Sequence, residues 1–124
     1  MGSRPFGFPR SARLLTASEY ARVFERPQRA SDRWFTLLWR ANGRGKSRLG
    51  LAISKKNCRR AVDRNLIKRM VRESFRRHRG RLPAVDVVVL TRRGIDVADR
   101  TIIRESLQRH WQRLSLLNVE PAGE

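Results

Sequence analysis

The helical pattern that decides the fold lies at residues 60–79 and reads RAVDRNLIKRMVRESFRRHR. Its apolar residues recur every three or four positions, as on one face of an amphipathic helix; they are Val62, Leu66, Ile67, Met70, Val71 and Phe75. Basic residues occupy the other side, and Gly80 and Pro83 end the pattern. The sequence therefore predicts a helix with one face in a core and a basic face toward solvent.

A shorter helix is predicted nearer the start of the chain. Thr16 and Glu19 form a capping box, in which each side chain satisfies a backbone N–H group at the start of a helix. The helix is expected over about residues 17–25, because Pro27 cannot continue it.

Three other segments have the patterns of strands. Residues 34–39 form a continuous apolar and aromatic run, and residues 48–54 alternate between large apolar and small residues. We expect these two strands to pair as a hairpin across the flexible turn at residues 42–45. Residues 85–91 have the composition of a buried strand.

A last helix is predicted after Asp99, whose side chain can cap its first turn. Its inward face consists of Ile103, Leu107, Trp111 and Leu114. The predicted element order is αββαβα, which is typical of a small α+β domain with helices laid on a sheet.

The composition indicates a protein that faces a polyanion. The chain has 29 Lys and Arg residues against 11 Asp and Glu, for a net charge of +18, and all but four of the cations are Arg. Arg binds phosphate bidentately and stacks on bases. No apolar run approaches the ~18 residues of a membrane span, and the lone Cys58 excludes an intramolecular disulfide and a cysteine-cluster zinc site. We expect a cytoplasmic protein with no membrane partner.

The sequence contains no recognisable protein active site. The carboxylates are scattered, and His78 and His110 lie in predicted helices among arginines. Cys58 lies between Lys56 and Arg59, which are expected to lower its pKa, but no histidine is near it in the sequence. We therefore predict no catalytic residue and regard His110 as an ordinary helix-face residue.

The basic face of the helix at residues 60–79 favours contact with nucleic acid. Its closely spaced cations repel one another, which lowers the stability of the fold unless a polyanion neutralises them. A structural RNA-binding protein of ribosomal type would share this charge. A DNA-binding protein is the weaker alternative, because no helix-turn-helix spacing surrounds the helix.

Residues 64–76, RNLIKRMVRESFR, closely resemble the signature helix of the bacterial ribonuclease P protein family. Residues 48–56, RLGLAISKK, resemble the strand that precedes this helix in the family, and the resemblance extends over about residues 10–117. One departure is Leu66, which stands where many family members have the third residue of an Arg-Asn-Arg motif.

The resemblance implies a fold, and the composition and patterning of the chain indicate how it divides. The fold is a two-layer α-β sandwich in the order αβ(β)βαβα, with a sheet of about four strands and a left-handed βαβ crossover. Residues 29–40 would then contain two short strands. The chain would divide into a basic flexible arm at residues 1–13, a single RNA-binding domain at 14–117 and a disordered tail at 118–124.

The resemblance also implies a function. Family members are protein subunits of an endoribonuclease whose catalytic RNA, with Mg²⁺ bound mainly by that RNA, removes the 5′ leader of precursor tRNA. The protein alone would not be catalytic, and it would need no obligate protein partner. It would bind the RNA through the signature helix and hold the leader in a cleft between this helix and the sheet.

The site residues follow from the resemblance and from the exposed side of the helix. RNA contacts are predicted on the signature helix at Arg60, Arg64, Asn65, Lys68, Arg69, Arg72 and Arg76, and at the further basic residues Arg48, Lys55 and Lys56. The leader cleft is predicted to be lined by Tyr20, Phe24 and Phe35, where aromatic rings can stack on bases without reading sequence. Ordinary core packing is the alternative for these three side chains.

Overall fold

The computed structural model describes residues 9–117, which form three helices and four strands. In chain order the elements are α1 (Ala17–Glu25), β1 (Gln28–Ser31), β2 (Phe35–Ala41), β3 (Arg48–Ala52), α2 (Ala61–His78), β4 (Val85–Thr91) and α3 (Arg100–Ser115). The side chains of Thr16 and Asp99 cap α1 and α3 as predicted. Most of the predicted arm, and the predicted tail at 118–124, lie outside the described residues.

The predicted boundary between arm and domain at residue 14 is too late. Arg10–Ala12 form a short 3-10 turn, and Ala12 is buried in the main core. The backbone N–H of Leu14 donates to the carbonyl of Leu49, so this segment is tied to β3. Residues 9–13 therefore belong to the folded domain.

The four strands form one sheet in the order β1-β2-β4-β3. β1 with β2 and β2 with β4 are antiparallel, whereas β3 and β4 are parallel and are joined by α2 as a βαβ crossover. The left-handed sense of this crossover stays a prediction. Two strands lie within residues 28–41, as the resemblance implied, and the sheet has the expected four strands.

The predicted hairpin between residues 34–39 and 48–54 is wrong, because β4 lies between the two strands. The physical reason is the composition of β4, in which Val85, Val87, Val88 and Val89 are all fully buried. A strand that is apolar on both sides needs cover on both faces and a neighbour at each edge, which only a central position provides.

The main core lies between the sheet and the layer formed by α2 and α3. The predicted inward residues Ile67, Val71 and Phe75 of α2 are fully buried there, as are those of α3. The Trp111 ring packs edge-on against Phe75 at a centroid distance of 5.6 Å. Burial of each such aromatic or aliphatic side chain contributes about 1.5–3 kcal/mol, so this layer supplies most of the stability.

Helix α1 packs on the opposite face of the sheet. Val23 is fully buried there against Leu14 and Val88, and Tyr20 packs at the margin of this smaller cluster. Gly50 of β3 lies directly beneath the Tyr20 ring, since a Cβ atom at Gly50 would lie 2.7 Å from Tyr20 Cε1. The small residues of β3 thus allow α1 to approach the sheet closely.

Candidate RNA interface

The basic residues of α2 fall on two sides of the helix, because its buried stripe of Ile67, Val71 and Phe75 faces the sheet. Lys68 and Arg72 lie on the side toward α1, whereas Arg69 lies on the side toward α3. The exposed face of α2 is therefore two basic flanks rather than the single basic surface that the sequence indicated.

A cleft of about 230 Å³ lies between α1 and α2, at the edge formed by β3. It brings together Tyr20, Lys68 and Arg72, three of the predicted site residues, with Arg13 and Leu14 at one end. The Tyr20 hydroxyl accepts a hydrogen bond from the backbone N–H of Leu51 at 3.1 Å, which fixes the ring on β3. The cleft thus combines a held aromatic ring with two cations.

A second depression, of about 310 Å³, lies on the same face of the sheet as α1, where the helix leaves part of that face uncovered. Its floor includes Leu38 and Leu90, and its rim carries Arg29, Arg92 and Arg93. Sequence reasoning missed these three cations because they lie on a strand and a turn rather than on the basic helix. The available signal was the Arg92–Arg93 pair directly after the buried strand.

Arg64 is half-buried and braces the loop that precedes α2. Its Nη1 donates to the carbonyl of Cys58 at 3.0 Å and to that of Arg59 at 2.8 Å. Arg60 is the N-cap residue of α2, and both Arg60 and Asn65 are exposed. One end of the Arg64 guanidinium is therefore used to hold the loop at Cys58 and Arg59.

Arg76 has a carboxylate partner on its own helix. Glu73 binds both Arg76 and Arg77, the latter at 3.2 Å, as expected for i,i+3 and i,i+4 neighbours. The hydrogen bond from Arg76 is the main cause that lowers the pKa of Glu73 below its ordinary value. A polyanion that binds Arg76 would have to compete with this carboxylate.

The predicted RNA contact at Arg48 is corrected by the structure. The Arg48 side chain is only 10% exposed and is held by Asp86 and by Glu19, whose Oε2 lies 2.9 Å from Arg48 Nη1. Its guanidinium is therefore a structural link between β3, β4 and α1. Lys55 and Lys56 are exposed in the turn after β3 and are free to face a ligand.

The three predicted cleft aromatics have different environments. Tyr20 lines the cleft, and Phe24 is 45% exposed on α1. Phe35 is fully buried in the main core beneath α2 and α3, so its prediction as a cleft residue is wrong. Because alternate residues of β2 point to opposite faces, Phe35 shares the face of Leu37 and Trp39 and is turned away from α1.

The expectation of a lowered pKa at Cys58 is also wrong. Burial raises the pKa of the Cys58 thiol, and the carboxylate of Asp63 raises it further, against an opposing effect of Arg64. A buried thiol of this kind is a poor nucleophile at neutral pH. That Cys58 carries no catalysis stays a prediction.

A buried polar cluster that sequence reasoning missed links α3 to the β1–β2 turn. The Ser106 hydroxyl donates to the Asp32 carboxylate, and His110 Nε2 lies 3.3 Å from Asp32 Oδ2. Asp32 also accepts from the backbone N–H groups of Trp34 and Phe35, both at 2.9 Å. Ser106 and His110 are buried, and His110 Nε2 forms no hydrogen bond among the described residues although it lies near the Asp32 carboxylate. The hydrogen bonds of Asp32 therefore tie α3 to the β1–β2 turn.

Two broader features bear on function. No helix among residues 9–117 is long and apolar enough to cross a membrane. Within the same residues, no three or more His, Cys, Asp or Glu side chains are grouped so that they could hold a metal ion.

Comparison with known sequences places these features in a family context. The sequence model of the family described as Ribonuclease P matches residues 8–115. The chain is 55% identical to the ribonuclease P protein component of Thioalkalivibrio sulfidiphilus over 115 residues, which cover 93% of this chain and 96% of that protein. It is 47% identical to the ribonuclease P protein component of Escherichia coli over 106 residues, covering 86% and 89% of the two chains.

Solved structures show the same fold. The RNase P protein of Thermotoga maritima, in complex with 1-(4-fluorophenyl)-2-thiourea, is similar with a TM-score of 0.72 at 29% identity, covering 86% of this chain and all 100% of that one. The RNase P protein of Staphylococcus aureus is similar with a TM-score of 0.70 at 27% identity, covering 88% and 93%.

Proposed function

This chain belongs to the ribonuclease P protein family, whose role is tRNA 5′ processing, and we propose that it binds both the catalytic RNA and the 5′ leader of precursor tRNA. Family membership replaces the alternatives of a ribosomal or a DNA-binding protein that the sequence left open. In this function the protein is a subunit of an endoribonuclease whose bond cleavage is carried out by the RNA.

The observation that carries the proposal is the division of the basic residues of α2. Lys68 and Arg72 face the cleft that Tyr20 lines, whereas Arg69 lies on the opposite flank, toward α3. A helix with cations on two flanks can contact two polyanions at once. The cleft flank suits a single-stranded leader, and the rest of the exposed surface suits folded RNA.

The cleft has the chemistry that single-strand binding requires. Cations along a groove follow the phosphates, and aromatic rings stack on bases at ~1–3 kcal/mol per base without reading sequence. Lys68 and Arg72 supply the cations, and Tyr20 supplies the ring. Phe24 is exposed on α1 but does not line this cleft. Arg92 and Arg93 at the sheet depression add positive charge on the part of the sheet face that α1 leaves uncovered.

The folded catalytic RNA would contact the outer surface of α2 and the loop before it. Arg60, Asn65 and the exposed Lys55 and Lys56 lie on this surface. The Asn65 amide can hydrogen-bond a base edge or a 2′-hydroxyl, and the cations can pair with phosphates. Mg²⁺ in this proposal is bound mainly by the RNA.

The test is tRNA affinity of the enzyme assembled from the catalytic RNA and the protein. Lys68→Ala and Arg72→Ala should each weaken precursor tRNA binding by roughly tenfold, since each removes a charge-assisted phosphate contact. Mature tRNA, which has no leader, should bind as before. Arg81→Ala is the matched control, because Arg81 is exposed outside the cleft.

Equal losses for precursor and mature tRNA would contradict leader binding at this cleft. Cleavage of precursor tRNA by RNA-free protein, insensitive to prior ribonuclease treatment, would contradict the assignment of catalysis to the RNA. Salt and Mg²⁺ must be held constant, because phosphate contacts weaken steeply with salt.

A further inference from the structure

A groove of about 510 Å³ runs between α2 and α3, on the flank of α2 opposite the Tyr20 cleft. Its volume lies in the range of about 300–1,000 Å³ that is usual for small-ligand sites. No prediction from the sequence concerned α3 as a binding element.

The rim of this groove carries cations from both helices. Arg69 of α2 faces Arg100 and Arg104 of α3. All three side chains are exposed, and none forms a hydrogen bond or ion pair within residues 9–117. The one carboxylate at the groove, Glu73, is already bound by Arg76 and Arg77. The rim is therefore strongly positive, and an anion that binds there would relieve the mutual repulsion of its arginines.

The floor of the groove is apolar. Leu66 and Met70 are half-buried and leave part of their surface open. Ser74 offers little competing polarity, because its hydroxyl accepts a hydrogen bond from Trp111 Nε1 at 2.8 Å. The exposed amide of Gln108 lies at the edge of this floor without a protein partner in the described chain.

An apolar floor, a free amide and a positive rim match the parts of one nucleotide. The flat base can lie on Leu66 and Met70, its polar edge can hydrogen-bond Gln108, and its phosphates can pair with the arginines. A small hydrophobic ligand would leave the cations unused, and a lone inorganic anion would leave the floor exposed.

We propose that the α2–α3 groove holds an unstacked nucleotide of the catalytic RNA, which extends the RNA-binding surface from α2 onto α3. This inference rests on the proposed function, since it names a further contact with the same RNA. The catalytic RNA is the occupant because the groove lies on the far side of α2 from the leader cleft. Both RNAs can then bind at once, one along each flank of the helix.

The experiment measures the affinity of the purified protein for the catalytic RNA alone, without tRNA, over a range of salt. Arg100→Gln with Arg104→Gln should weaken binding by roughly tenfold or more. The slope of log affinity against log salt should become shallower by about 0.7–0.9 for each phosphate that the variant no longer binds. Arg81→Gln with Arg113→Gln is the control, because it removes the same charge from exposed positions outside the groove.

Leu66→Gln tests the floor separately from the charge. It should weaken binding several-fold at every salt concentration while leaving the salt slope unchanged, because every phosphate remains bound. Urea unfolding of each variant shows that the fold is retained, as expected for side chains that are exposed or half-buried.

Three results would contradict the proposal, and each identifies the part of it that fails. A loss of affinity no larger than in the control pair would overturn the groove as an RNA site. The same variants are also tested in the assembled enzyme with precursor and mature tRNA. Unchanged affinity for the catalytic RNA together with weaker binding of precursor tRNA alone would overturn the catalytic RNA as the occupant of the groove. If the unaltered protein fails to bind the catalytic RNA at all, the proposed function itself fails.

Discussion

The guanidinium of Arg48 in β3 binds both carboxylate oxygens of Asp86 in β4, with Nε 2.8 Å from Oδ1 and Nη2 2.7 Å from Oδ2. The two residues are register partners in the parallel pair of strands. Both side chains are nearly excluded from solvent, so each charge depends on the other for compensation.

Asp86→Asn should therefore destabilise the domain severely. It leaves the buried Arg48 without its main counter-charge, which typically costs about 3–5 kcal/mol of unfolding free energy. Urea unfolding near pH 7 measures the loss. Asp96→Asn is the control, because Asp96 is exposed on a turn. Replacing both partners, as in Arg48→Met with Asp86→Leu, should cost less than Asp86→Asn alone; a larger loss would contradict this account.

Glu19 should make the stability depend on acid. Backbone N–H groups of Leu15 and Thr16, together with Arg48, lower the pKa of Glu19 from 4.5 to about 2. The folded state thus favours the ionised carboxylate, so the stabilisation is complete above pH 4.5 and is lost as the pH falls toward about 2.

Comparison of the unaltered protein with Glu19→Gln checks this dependence. The difference in unfolding free energy between the two should be largest near neutral pH and should shrink as the pH falls below about 4.5. Urea unfolding at several pH values provides the measurement. A constant difference across that range would show that the Glu19 carboxylate is not preferentially ionised in the fold.

Gly50→Ala should displace α1. The added Cβ atom would lie 2.7 Å from Tyr20 Cε1 and 2.9 Å from Leu14 Cδ1, so both side chains would have to move. Overpacking of this kind costs about 1–3 kcal/mol. Gly80→Ala is the matched control, since a Cβ atom there meets nothing within 4 Å. Equal unfolding midpoints for the two variants would rule out the close approach of α1 to β3.

The imidazole of His110 should titrate below its ordinary pKa. Burial is the main cause, and it outweighs the nearby Asp32 carboxylate, which favours the protonated ring. Asp32→Asn removes that carboxylate, so it should lower the pKa of His110 further. An NMR titration of the ring protons measures both values. A rise in the pKa of His110 in the variant would contradict the contact between the two side chains.

The lowered pKa of His110 should also reduce the free energy of unfolding in mild acid. Because its pKa in the fold is below its value in the unfolded chain, the favourable contribution is present above about pH 6.5 and is lost as the pH falls through the folded pKa. His110→Gln should remove this component, leaving a flatter dependence of unfolding free energy on pH between about 7 and 5.

Local patterns were enough to predict the helices and their caps. The spacing of Ile67, Val71 and Phe75 and the pairing of Thr16 with Glu19 involve residues within two turns of each other. Their physical causes are therefore contained in short stretches of sequence. The predicted capping contacts are present in the fold, and so is the predicted apolar face of α2 except at Val62, which is 60% exposed.

Contacts between distant residues were not predictable in this way. The side chains of β2 alternate between the two faces of the sheet and so form two sets. Because helices pack on both faces, the sequence does not show which set faces α1, and the prediction places Phe35 in the wrong set. Arg48 has the appearance of a free basic residue until Asp86, 38 residues away, is placed beside it. The pairing of β2 with β3 failed for the same reason, since it depends on where β4 inserts.

The central position of β4 determines when the sheet can be completed while the chain is being synthesised. β2 and β3 are joined only through β4, which is the last strand to leave the ribosome. A nascent chain that ends before residue 85 contains the residues of the β1–β2 pair but lacks the strand that joins them to β3, so the sheet beneath α2 is incomplete. Insertion of residues 85–91 between β2 and β3 therefore completes the sheet and, with it, the core on which α2 packs.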